Sequence, residues 1–130
     1  MRGLRVLVCG GRKYLDQDHV WTTLAELNAE QPIGLIIHGA ATGADRLAQD
    51  WARSRLIPER EFDANWPKYG AEAGAIRSQQ MIDEGKPDLI VAFPGGPGTA
   101  DLVQRARLRG LKVIEVAEPA RGAPKTSAGR

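Results

Sequence analysis

Leu89-Ile90-Val91-Ala92-Phe93-Pro94-Gly95-Gly96-Pro97-Gly98-Thr99-Ala100-Asp101 passes from an unbroken apolar run, through a glycine-dense turn, into a helix-like pattern. Residues 89–93 read as a buried strand, Pro94 ends it, and from Thr99 onward Leu102, Val103 and Ala106 fall on one helical face. A strand that empties through glycines onto a helix N-terminus is a construction α/β proteins use to hold phosphate. The glycines let the backbone approach closely, and the free N–H groups of the first helical turn point at the anion. Taken singly, such a turn is equally an ordinary strand-to-helix connection.

Two further turns repeat the construction. Residues 4–9 form a short apolar run ending in Gly10-Gly11-Arg12-Lys13-Tyr14, and residues 35–38 form another ending in Gly39-Ala40-Ala41-Thr42-Gly43-Ala44-Asp45. Beyond the second, Ala44, Leu47, Ala48, Trp51 and Ala52 recur at i, i+3, i+4, i+7 and i+8, an amphipathic helix facing a sheet. In an open parallel sheet all three turns lie along one rim, at the carboxyl ends of the strands, where such folds bind ligands.

The remaining elements follow in strict alternation. The order reads strand 5–9, helix 17–29 (with Val20, Trp21, Leu24 and Leu27 on one stripe), strand 35–38, helix 44–55 and a weak strand 60–62. An irregular loop 63–70, helix 73–84, strand 89–93, helix 99–109 and strand 112–116 complete it. Gly110 stands where a helix-terminating glycine belongs. Alternation predicts an α/β fold: a single Rossmann-like domain over residues 1–117, with a mostly parallel five-stranded sheet in the order 3-2-1-4-5 and helices on both faces. Strands one and four then lie side by side at the switch point. Residues 118–130 carry no apolar period and read as a mobile tail.

Composition is that of a globular protein. The chain has 130 residues, 42% of them hydrophobic and 26% charged, and a formal charge of +2. No basic stripe interleaved with aromatics points to a nucleic-acid polymer. No apolar stretch approaches membrane-spanning length, and Arg2 leads directly into the first strand without a signal-peptide pattern. A single cysteine, Cys9, excludes an internal disulfide and fits a reducing cytoplasm; at the end of a strand it reads as a small buried residue.

Four ordered motifs carry a resemblance to a known family. They are Val8-Cys9-Gly10-Gly11-Arg12, residues 38–45 (His-Gly-Ala-Ala-Thr-Gly-Ala-Asp), residues 73–81 (Ala-Gly-Ala-Ile-Arg-Ser-Gln-Gln-Met) and the Pro94–Thr99 turn. The last resembles the PGGxGT signature of the SLOG superfamily, which includes the LOG phosphoribohydrolases and the DNA-processing protein DprA. The fuller pattern is similar to the YspA/cpYpsA-related branch of small SLOG proteins, many of them phage or bacterial. The resemblance spans roughly residues 4–116 and implies a Rossmann-like fold that binds a nucleotide or nucleotide-derived ligand, in some members as a hydrolase and in others as a sensor. One departure bears on chemistry: the phosphoribohydrolase signature continues PGGxGTxxE, and its glutamate position is Leu102 here. Asp101 lies one residue earlier, rotated by about 100° on a helix, and does not substitute for it.

Candidate site residues follow. The glycines of the three turns (Gly10, Gly11, Gly39, Gly43, Gly95, Gly96 and Gly98), together with Thr42 and Thr99, are expected to line the ligand rim, with Thr99 capping its helix. Asp45, in the first turn of the second helix, is the candidate catalytic acid or ribose-binding carboxylate, although a carboxylate there also serves the helix dipole. Arg77, through its match to the family's arginine-containing segment, and Arg12 are candidate phosphate ligands. Trp66 and Tyr69 are a candidate base-stacking lid. His38 ends a strand near the rim without a second histidine or a cysteine cluster, so no metal site is expected, and no cofactor is implied. The expected partner is a small nucleotide-type molecule, with no membrane and no nucleic-acid polymer; homo-oligomerisation is left open. An N-glycosidic hydrolase and a DprA-like nucleic-acid module are the alternatives to a binding domain.

Overall fold

Apolar residues at consecutive positions of one strand point alternately to the two sides of a sheet, so a run such as Val6-Leu7-Val8-Cys9 must be covered on both faces. The computed structural model describes residues 3–39 and 41–118; of the tail expected over residues 118–130, all but Glu118 lies outside the described residues. Its elements are β1 (Leu4–Cys9), α1 (Gln17–Glu30), β2 (Ile33–His38), α2 (Ala44–Ser54), β3 (Glu59–Glu61) and α3 (Trp66–Tyr69). A 3-10 turn (Gly70–Glu72) then leads into α4 (Ala73–Asp83), β4 (Leu89–Ala92), α5 (Pro97–Leu108) and β5 (Lys112–Glu115).

The five strands form one sheet in the order β3-β2-β1-β4-β5, and each pairing is parallel. The α/β fold and the 3-2-1-4-5 order expected from the alternation are those observed. On one face Val6, Val8, Ile36 and Val91 pack against Val20, Leu24, Leu47 and Trp51 of α1 and α2. On the other, Leu7, Cys9, Ile37 and Ile90 pack against Met81, Ile82, Leu102 and Ala106 of α4 and α5. Among the described residues no helix is long and apolar enough to cross a membrane.

Two local expectations are corrected. The last long helix begins at Pro97 rather than Thr99: Gly96 is its N-cap, and Pro97 opens the first turn. Proline is well suited there because it has no N–H to leave unsatisfied and its fixed φ is already helical. Thr99 therefore lies inside the first turn and does not cap it. Within the loop 63–70, residues 66–69 fold into the short α3, whose cap is the Asn65 side chain accepting from the Lys68 N–H.

The short edge strand β3 is held by charge. Glu59 accepts hydrogen bonds from His38 Nε2 at 2.7 Å, from Gln49 Nε2 and from Arg53 Nε. Partial burial pushes the Glu59 carboxyl upward, but these three donors outweigh it and take it from an ordinary 4.5 down to about 2. The folded state thus binds this proton more weakly than the unfolded chain, so the stabilisation is complete above about 4.5 and is lost as pH falls towards 2. Denaturant titrations of wild type and Glu59→Gln should show a stability gap near neutral pH that narrows through that window. A gap independent of pH would show that Glu59 is not held ionised by its partners.

Candidate functional site

β1 and β4 are neighbours, so their C-terminal turns meet, and the turn after β2 joins them. The Gly11 N–H donates to Pro94 O at 2.9 Å, and the Ala44 N–H, opening α2, donates to Gly11 O at 3.2 Å. Thr42 Oγ1 donates to Arg12 O at 3.0 Å. The three glycine turns form one hydrogen-bonded rim at the carboxyl end of the sheet.

Above this rim opens a cleft of about 1110 Å³. It is lined by Gly95, Gly96, Gly98 and Thr99, by Ala75, Arg77 and Ser78 of α4, and by Gly10, Gly11 and Arg12. Cys9, Met81 and Leu102 belong to one packed group and reach the cleft as an apolar floor. A side recess of about 520 Å³ shares Arg12, Trp66 and Arg77 with the cleft and adds Gly39, Thr42 and Asp63.

The glycines divide into two kinds. A Cβ on Gly10 would lie 2.6 Å from the Ala44 Cβ, one on Gly95 would overlap Thr99 Oγ1, and one on Gly43 would overlap Gly11 O. Gly43 also has φ +74, which L side chains rarely adopt. Buried beneath the first turn, Gly43 lines neither the cleft nor the recess. Gly96 and Gly98 are different: a Cβ on either meets no atom within 4 Å, and neither has a positive φ.

Asp45 and Arg77 grip the second turn from both sides. Asp45 Oδ2 accepts the Gly39 N–H at 2.8 Å, and the Ala41 N–H also bonds this carboxylate. Arg77 Nη1 donates to Gly39 O at 2.6 Å, while its buried Nε has no hydrogen-bond partner among the described residues. Burial pushes the Asp45 carboxyl above its usual range; the Gly39 and Ala41 N–H groups and the charges of His38 and Arg77 oppose that shift without cancelling it. Burial, reinforced by Asp45, also raises the Cys9 thiol, which keeps it neutral and a poor nucleophile.

The candidate lid separates. Trp66 is 46% exposed and lines both cavities, with the Arg12 guanidinium 5.9 Å from its ring centroid. Tyr69 lines neither, and its ring faces the Lys68 ammonium at 5.1 Å. His38 does not reach the rim: it is fully buried against Glu59. With Glu59 and Glu61 it forms a group of three whose donor atoms lie within 4.8 Å of one another. Glu59 also accepts there from Gln49 and Arg53. Asp101 pairs with Arg105 at 2.7 Å.

Two cleft residues escaped the sequence reading. Tyr14 stacks on Phe93 with centroids 5.9 Å apart, and burial raises its hydroxyl to about 12, so it stays protonated. Ser78 lies on the buried stripe of α4 with Met81 and Ile82. A lone serine on an otherwise apolar stripe was the signal available for it.

No solved structure matches the chain. The "Gene 61 protein" of Mycobacterium phage D29 is 36% identical over 119 residues, covering 85% of this chain and 94% of that protein. The profile of the YspA, cpYpsA-related SLOG family matches residues 4–69, the segment that holds the first two glycine turns, Asp45 and Trp66. With these motifs on one rim of a 3-2-1-4-5 sheet, the chain belongs to the YspA, cpYpsA-related SLOG family.

Proposed function

We propose that the cleft binds a nucleotide or nucleotide-derived ligand by its phosphate at the N-terminus of α5, and that the domain senses or sequesters that ligand. The observation that carries this is the empty space around Gly96 and Gly98. A glycine inside a helix costs up to about 1 kcal/mol against alanine, and neither packing nor φ requires one at Gly98. The space serves something outside the chain. The first intrahelical bond at this end runs from the Ala100 N–H to Gly96 O, which leaves the Gly98 and Thr99 N–H groups directed at the cleft. Arg77 and Arg12 supply positive charge, and the half-exposed Trp66 offers a ring face for a base.

Hydrolysis of an N-glycosidic bond is the second reading, and Asp45, a cleft-lining carboxyl raised by burial, favours it. Against it, the glutamate position of the phosphoribohydrolase signature is Leu102, an apolar residue of the cleft floor, and Asp45 is committed to two backbone N–H groups. Incubation with a panel of nucleoside monophosphates, followed by chromatography, is expected to release no free base above the buffer control. Robust release that Asp45→Asn abolishes would make the protein a hydrolase.

A further inference from the structure

We infer that Ser78 reads the sugar of the bound molecule, through a hydrogen bond to a ribose hydroxyl on an otherwise apolar floor. The inference rests on the phosphate site proposed above and concerns a residue with no part in that site. Ser78 is only 7% exposed, yet it lines the cleft. Serine and threonine inside helices ordinarily bond a carbonyl in the preceding turn. Thr23 does so, donating to His19 O at 2.7 Å, and Ser54 donates to Trp51 O at 2.7 Å. The Ser78 hydroxyl takes part in none of the hydrogen bonds among the described residues, and its oxygen is not one of the solvent-excluded unpaired atoms, so it is open to the cleft. Packing alone gives no reason for serine on this stripe, because alanine forms helix better and carries no group to satisfy.

Its place relative to the phosphate site identifies the chemistry it would meet. Leu102 follows Thr99 by about one helical turn on α5. Leu102 and Met81 belong to the same packed group, and Met81 stands three residues beyond Ser78 on the same face of α4. Ser78 and the Gly98 and Thr99 N–H groups thus line one cleft, with Met81 and Leu102 of its floor also among the lining residues, and the pentose of a 5′-phosphate held at the α5 N-terminus would lie over that floor. Cys9, Met81 and Leu102 offer that pentose only apolar surface. A single hydroxyl in such surroundings discriminates strongly, because a ligand lacking the matching group leaves it desolvated and unpaired.

The test is calorimetric titration of wild type and Ser78→Ala with the four ribonucleoside 5′-monophosphates and their 2′-deoxy and 3′-deoxy counterparts. Wild type should prefer the ribonucleotide over one of the deoxy series by roughly tenfold or more. Ser78→Ala should lose that preference while binding the same deoxynucleotide at least as well as wild type does, with an unchanged melting temperature. A preference that survives in Ser78→Ala, or a wild type that binds ribo and deoxy forms equally, would overturn the role of Ser78 and leave the phosphate site standing. A wild type that binds none of the panel would overturn both.

Discussion

Replacing Gly43 with alanine is expected to destabilise the protein by roughly 3–5 kcal/mol, the sum of a strained backbone and an overpacked contact. The Gly43 backbone has φ +74 and ψ −131, a combination essentially reserved for glycine. The added methyl would overlap Gly11 O and stand 2.5 Å from the carbonyl carbon of Arg12. Those are backbone atoms of the neighbouring turn, and Gly11 is itself fixed by its bond to Pro94 O. Nothing nearby has rotamer freedom with which to yield. Urea denaturation measures the effect; a loss below about 1 kcal/mol would mean that the three turns are not locked together as described.

The second large effect lies in binding. Gly96→Val is expected to weaken a phosphorylated nucleotide by about a hundredfold or more while changing stability by no more than about 1 kcal/mol. The backbone at Gly96 has φ −104, which valine adopts readily, and its Cβ would meet no heavy atom within 4 Å beyond its chain neighbours. That space is the one assigned to the phosphate. Calorimetry and thermal melting on the same preparation separate the two quantities. Unaltered affinity would remove the α5 N-terminus from the ligand site, and a collapse in stability would mean that the open space has been misjudged. Gly43 and Gly96 therefore make opposite predictions, although both are glycines in strand-to-helix turns of one rim.

The sequence could not tell those two glycines apart. Periodicity and alternation sufficed for the sheet order, because apolar runs such as Val6-Leu7-Val8 demand cover on both faces whatever their neighbours are. Whether a glycine is packed or open depends on chain far away: Gly43 abuts Gly11 and Arg12, and Gly95 abuts Gly11. No local pattern contains that information. The start of α5 is hidden for a different reason: Gly96-Pro97-Gly98 is composed of helix breakers, yet proline in a first turn initiates a helix. Asn65 followed by Pro67 is the same kind of signal for α3, set in a polar stretch with too few apolar positions to show a helical period. Arg77 illustrates a subtler gap. Its place beside the cleft was legible from the motif, but its hydrogen bond to Gly39 O, which makes it a clamp on the second turn, depends on the fold.

The account turns on whether the backbone N–H groups that open α5 hold a phosphate. Amide-resolved NMR during titration with nucleoside 5′-monophosphates tests this directly, with the unphosphorylated nucleosides as controls. The amide resonances of Gly98 and Thr99 should shift downfield, saturably and more than any outside the cleft, with the phosphorylated ligand and only weakly with the nucleoside. Saturable binding that leaves those two amides unmoved, or equal shifts with and without the phosphate, would contradict the account.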